Sequence, residues 1–229
     1  MATITGLATA LVDVLGKSGL EPKSIRETGR RLMESGKIKK GTRGRTGGAR
    51  MDAEDSAVFL SSLIGAGDRR DVMKAADTVD LCFPLVNDGY KDITETIDVD
   101  PPAPDYVFGL KPMHTFGEAL TAIVTSAVED GLLLPPPHHA IMRLEVSVER
   151  PWPIARIRVW GSHHLYTAVY IHPAQKMKIE EPTAEASLQK LRELDAQFEG
   201  NPSFYWTQRT IGIEVFYKLG NCLRDQSDA

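Results

Sequence analysis

Residues 37–50 read KIKKGTRGRTGGAR, with six Lys or Arg, four Gly and no acidic side chain. This stretch limits what the chain around it can become. Six positive charges in a Gly-rich segment repel one another unless they are solvated or face an anion, so the segment belongs on the surface. A polyphosphate backbone is the commonest such anion, and each cation that neutralises a phosphate releases condensed counterions. The segment also marks an electrostatic division. Residues 1–50 hold eleven Lys/Arg against four Asp/Glu, whereas the other 179 hold sixteen against twenty-seven. The formal net charge of −4 therefore conceals a basic module on an acidic body that does not itself attract polyanions.

A chain of 229 residues suffices for one large domain or two small ones. Its 42% hydrophobic and 25% charged content is that of an ordinary soluble globular protein. No run of eighteen apolar residues occurs, so no membrane span is expected. The opening MATITGLATALVDVLG is apolar but has no basic leader and carries Asp13, which reads as an amphipathic helix and not a signal peptide. Two cysteines, Cys82 and Cys222, cannot form the disulfide framework of a small secreted protein, and a cytoplasmic setting is the simplest reading.

Periodicity divides the chain into three blocks. In the first, Leu7, Leu11, Val14 and Leu15 share one face of a helix. Gly16 to Gly19 form a turn, and Glu21-Pro22 opens a second helix with Ile25, Leu32 and Met33 as its apolar stripe. Gly36 is a natural stop. After the basic segment, Asp52 starts a third helix containing Val58, Leu60, Leu63 and Ile64. A fourth, capped by Asp68, is expected through Val72, Met73, Ala76, Val79 and Leu81. In the second block, DVDPPAPD forbids regular structure, with a short strand conceivable near Ile93 to Val99. The third predicts a helix at Phe116 to Glu129, a hairpin of Ile141–Val148 and Ile154–Trp160, and a strand at Leu165 to Ile171. A helix at Thr183 to Phe198, a short strand at Trp206 to Thr210 and a final helix to Leu223 follow.

The stretch LATALVDVLGKSGLEPKSIRETGRRLMESGKI, followed by KKGTRGRTGGARM, resembles a winged helix-turn-helix domain of bacterial or prophage type. RRLMESGKI looks like the end of a recognition helix that leads into a wing. The resemblance covers the first third of the chain. It departs from the usual pattern in having two helices, not three, ahead of the wing, so the helix from Asp52 has to complete the core. It implies an α+β protein with a winged helix-turn-helix domain at 1–82, a Pro-containing linker at 83–113, and a mixed α/β domain at 114–229 for oligomerisation or sensing.

The charge pattern supports the same function independently of the family. A helix that reads the major groove needs polar side chains able to reach base edges, and Lys23, Ser24, Arg26, Glu27, Arg30 and Arg31 supply them. Arg26 and Arg30 are the best candidates for bidentate contact with guanine. Lys39, Lys40, Arg43, Arg45 and Arg50 would reach phosphates, on a path that Gly41, Gly44, Gly47 and Gly48 permit. The competing reading is a solvated helix face beside a merely soluble loop. A membrane surface is the weaker anion, because the segment has no Trp, Phe or Leu to insert.

Other chemistry finds little support in the sequence. His138-His139 and His163-His164 are adjacent pairs, and neighbours on a strand point to opposite faces. HExxH, CxxC, GxSxG and GxxxxGK[ST] are all missing, so no metal, cofactor or catalytic residue is expected. Glu145 and Glu149 share a strand face and are read as surface carboxylates. Trp152, Trp160 and Trp206 are read as core or interface residues because their surroundings are not basic. The expected function is a sequence-specific, non-enzymatic transcriptional regulator that binds double-stranded DNA as a homodimer, with 183–198 and the C-terminal run as interface candidates. The alternative is a phage DNA-packaging protein, small terminase-like, or an architectural protein, which the size of the oligomer would separate.

Overall fold

A computed structural model describes residues 4–17, 19–39, 51–66, 72–79, 82–84, 110, 114–129, 132, 141, 143–150, 154–160, 165–172 and 207–224. These form six helices and five strands: α1 (Ile4–Gly16), α2 (Pro22–Glu34), α3 (Ala53–Gly65), α4 (Val72–Val79), β1 (Phe83–Pro84), α5 (Phe116–Glu129), β2 (Arg143–Arg150), β3 (Ile154–Trp160), β4 (Leu165–Ile171), β5 (Thr207–Gly212) and α6 (Ile213–Arg224). The class is α+β, as the sequence indicates.

The sheet is antiparallel throughout, in the order β1-β4-β3-β2-β5. Its register puts Val146 between Ile157 and Ile211, and Val148 opposite Ala155. Strand alternation then turns Leu144, Val146, Val148, Ala155, Ile157 and Val159 to one face, where all are buried. α3 and α6 lie against that face, and α5 packs on both of them. The start of α5 reaches β4, where Phe116 and His114 each meet the Tyr170 ring edge-on and His114 Nε2 lies 2.8 Å from Tyr170 Oη.

α3 is the central helix. Asp52 caps it by accepting the Asp55 N–H at 2.9 Å, which is the expected start. Every residue from Asp55 to Gly65 except Val58 is buried. Ser56, Ser61 and Ser62 are tolerated inside because each hydroxyl donates to a carbonyl of the preceding turn. At Gly65 a β-carbon would stand 2.7 Å from Val79 Cγ2, so the missing side chain sets the approach of α4. Gly220 does the same between α6 and α5, where a β-carbon would lie 2.5 Å from the Ala127 carbonyl oxygen.

Two arginines close helix ends in this half of the molecule. The last carbonyls of a helix have no partner within it. Arg209 on β5 donates to Leu63 O at 3.0 Å and to Ala66 O at the end of α3. Arg224 donates to Val128 O at 2.9 Å and Ala127 O at 3.0 Å at the end of α5.

The core does not divide at residue 82. One cluster of buried side chains runs from Leu7 and Leu11 of α1 through α3 to Phe216 and Leu219 of α6, and α1 packs directly on α6. The C-terminal run, expected to pair subunits, places Val215, Phe216, Leu219 and Leu223 in this cluster. Its apolar face is thus used within the chain, because α1 and α5 occupy it. The expected strand near 93–99 and helix at 183–198 lie outside the described residues.

Candidate nucleic-acid interface

α1 and α2 are joined by a short turn and pack on each other, and each ends in a matching cap. Leu20 N donates to Leu15 O and Gly19 N to Gly16 O, with Gly19 at φ 77°. At the end of α2, Lys37 N donates to Leu32 O and Gly36 N to Met33 O, with Gly36 at φ 78°. Both are the Schellman pattern, in which a left-handed glycine lets the chain turn back on the last carbonyls. Leu20 and Ile38, the apolar residues just beyond, are buried and fix the exit of each helix.

α2 buries Ile25, Thr28, Gly29 and Leu32 and presents the opposite side to solvent. That side carries Lys23, Arg26, Arg30 and Glu34, all exposed, with Ser24, Glu27 and Arg31 half-buried at its margins. The expected cations share one face, as their spacing requires.

What they touch differs along the helix. Arg30 is held by Glu27 through Nη2 at 2.6 Å and Nε at 3.1 Å, and by Glu34 through Nη1 at 2.6 Å. Arg31 Nε donates to Glu27 Oε1 at 3.0 Å. These bonds, Arg30 first and Arg31 second, hold the Glu27 carboxyl down from 4.5 to about 2 and push the Arg30 guanidinium up. Glu27, expected to face DNA bases, is thereby the neutraliser of two candidate contacts. The i,i+3 and i,i+4 spacings announce this in the sequence. Lys23 and Arg26 have no ion-pair partner among the described residues, and neither does Lys17 in the preceding turn, an exposed cation that the sequence reading passed over.

The basic segment is anchored at both ends. Ile38 at its start and Met51 just after it are buried, so its two ends are pinned to the same core. Lys37 pairs with Asp77 on α4. The Lys39 ammonium pairs with Asp52, and this bond raises the Lys39 pKa. Burial pushes Asp52 upward, but the Asp55 N–H and Lys39 outweigh it and the net shift is down. Of the cations expected to reach phosphates, Lys39 is in place at the root; Lys40, Arg43, Arg45 and Arg50 lie outside the described residues. No strand lies among the described residues of the first 82, and the stretch expected to form the wing is not among them.

The outer face of the sheet corrects one expectation. Trp160 is half-exposed, with the Arg143 guanidinium 4.8 Å from its ring centroid and Arg158 two residues along the same strand face. Its surroundings are therefore basic, because cross-strand pairing brings together arginines far apart in sequence. Glu145 and Glu149 sit on this face and pair with Arg143 and Arg156. Trp152, Trp206 and the two His pairs lie outside the described residues. Burial lowers the pKa of His172 at the end of β4. No group of three His, Cys, Asp or Glu is placed to hold a metal ion among the described residues. No helix there is long and apolar enough to cross a membrane.

The chain matches no protein-family model, no curated protein and no solved structure. The physical reading of α2 and its surroundings therefore stands without support from a relative.

Proposed function

We propose that this protein binds double-stranded DNA through α2 and the basic segment that follows it. The observation that carries this reading is the exposed first half of α2, where Lys23 and Arg26 have no ion-pair partner among the described residues. They stand on the second helix of a helix-turn-helix whose end leads directly into six cations in fourteen residues. The N-terminal residues of such a helix are those that reach base edges when it enters the major groove. Arg26 is the residue best suited to read a guanine, since its guanidinium donors are not committed to a carboxylate. Arg30 and Arg31 exchange a carboxylate for a phosphate or base when the helix docks. The basic segment contributes affinity through phosphates and little sequence choice.

The protein acts in this reading as a sequence-specific regulator with no chemical step, and two copies bind a two-fold site because one helix reads few base pairs. The test is a gel-shift series on selected and random duplexes at rising salt. Arg26→Ala weakens binding to the selected duplex more than to random DNA. Alanine at Lys40, Arg43 and Arg45 weakens both alike and flattens the salt dependence. No shift of any duplex at low salt would end the proposal. Sedimentation at micromolar concentration reads the stoichiometry on DNA.

A further inference from the structure

We propose that Asp55 is a proton-operated latch at the root of the basic segment: ionised, it holds the Lys39 main chain and adds its charge to that of Asp52 beside the Lys39 ammonium; neutral, it leaves that ammonium opposed by Asp52 alone and more open to a polyanion. The consequence for binding rests on the nucleic-acid reading above, but the latch itself does not.

The geometry is specific. Asp55 lies in the first turn of α3 and is 5% exposed. Its Oδ1 accepts the Lys39 backbone N–H at 3.3 Å, a contact sixteen residues long that ties the start of the basic segment to the central helix. Its Oδ2 is fully buried and has no hydrogen-bond partner among the described residues. Buried carboxylate oxygens are nearly always satisfied, and one left bare gains nothing for the hydration it has lost. The charged groups around it are Asp52 in the same turn and Lys39 from the chain after α2. Burial raises the Asp55 carboxyl above the ordinary aspartate range and the Asp52 charge adds to this, while the main-chain N–H groups of Lys39 and Asp52 and the Lys39 charge oppose it without cancelling it.

Protonation removes one negative charge from beside Lys39 and turns a charge-assisted bond to its backbone into an ordinary one. Lys39 is then opposed by Asp52 alone. The root of the segment becomes one unit more positive, and its attraction for phosphate increases. The sign for stability follows from the raised pKa. The unfolded chain ionises Asp55 first as pH rises, so folding loses stability between the unfolded and the folded pKa and stays lower above both.

The experiment uses the full chain, labelled for NMR. The Asp55 carboxyl carbon and the Lys39 amide are expected to titrate together, with a midpoint above that of ordinary aspartates, and Asp55→Asn abolishes the Lys39 titration. A midpoint at or below the ordinary aspartate value, or a Lys39 amide that ignores Asp55, overturns the latch. The wild-type titration needs no variant, and Asp55→Ser replaces Asp55→Asn if the latter fails to fold. A random-sequence duplex at low salt then serves as the polyanion probe. Asp55→Asn is expected to bind about threefold tighter than wild type at a pH above the Asp55 midpoint found by NMR and equally at a pH below it, as the loss of one negative charge close to phosphate implies. Equal binding at both values overturns the link from latch to affinity. If neither protein binds DNA at any pH, the nucleic-acid reading fails, and the NMR titration alone decides the latch.

Discussion

Arginine is used in two ways in this molecule, and the contrast separates what holds the fold from what is available to a partner. Arg209 and Arg224 donate to main-chain carbonyls at the ends of α3 and α5, across sequence gaps of 146 and 97 residues. Arg30 and Arg31 on α2 donate to carboxylates three or four residues away, on a surface where a competing anion can enter. A helix-end carbonyl that loses its arginine has no other partner within the helix, so giving that bond up to a phosphate is costly. An exposed carboxylate pair is given up more readily, because such pairs contribute little and are screened by salt. The first group therefore belongs to stability, and the second is open to a partner, as the proposed function requires.

Breaking the first group gives the largest effects. Gly220→Val drives a side chain into the Ala127 carbonyl where Arg224 also binds, and is expected to cost about 3 kcal/mol or more, lowering Tm by roughly 10 °C. Arg209→Ala leaves Leu63 O and Ala66 O without their donor and is expected to cost about 2 kcal/mol in denaturant unfolding. Neither change should alter the salt dependence of DNA binding. If Arg209→Ala proves neutral in stability, the contrast loses its first half.

The second group reverses the pattern. Arg26→Ala should leave Tm within about 2 °C, since no described contact is lost, and weaken a selected duplex about tenfold. Glu27→Gln sharpens the contrast most, because it removes the carboxylate that Arg30 and Arg31 share and leaves Arg30 with Glu34. Duplex affinity is expected to rise about threefold, and a fall would show that Glu27 itself touches DNA. The smallest effect is the acid limb of α2. The Glu27 carboxyl is held at about 2 in the folded chain against 4.5 free, so its contribution is complete above 4.5 and lost as pH falls toward 2. Solvent screening keeps it small, and circular dichroism of Glu27→Gln beside wild type over that window would detect it.

Much of the local structure was legible. Leu7, Leu11 and Leu15 recur at every turn and predict α1, and Gly19 and Gly36 end α1 and α2 as glycines able to adopt positive φ. Val146 and Ile157 alternate with polar neighbours and predict the hairpin of β2 and β3. The cations of α2 were legible as a face, since helical geometry fixes which residues share it. Their pairing with Glu27 and Glu34 was equally present in the spacing, but it reads as support for a helix until exposure shows that Lys23 and Arg26 lack what Arg30 has.

The sequence by itself determined the elements and the uneven charge, because helix and strand periods, caps and like-charge repulsion act over a few residues. Only the tertiary structure decided that α1 and α6 share one core, that Arg209 closes α3, that Trp160 stands among arginines, and that Asp55 is buried with one oxygen bare. Each of these depends on residues from 16 to more than 140 positions apart meeting in space. The free energy of such meetings comes from burying the shared apolar faces of many elements at once, which no local pattern records.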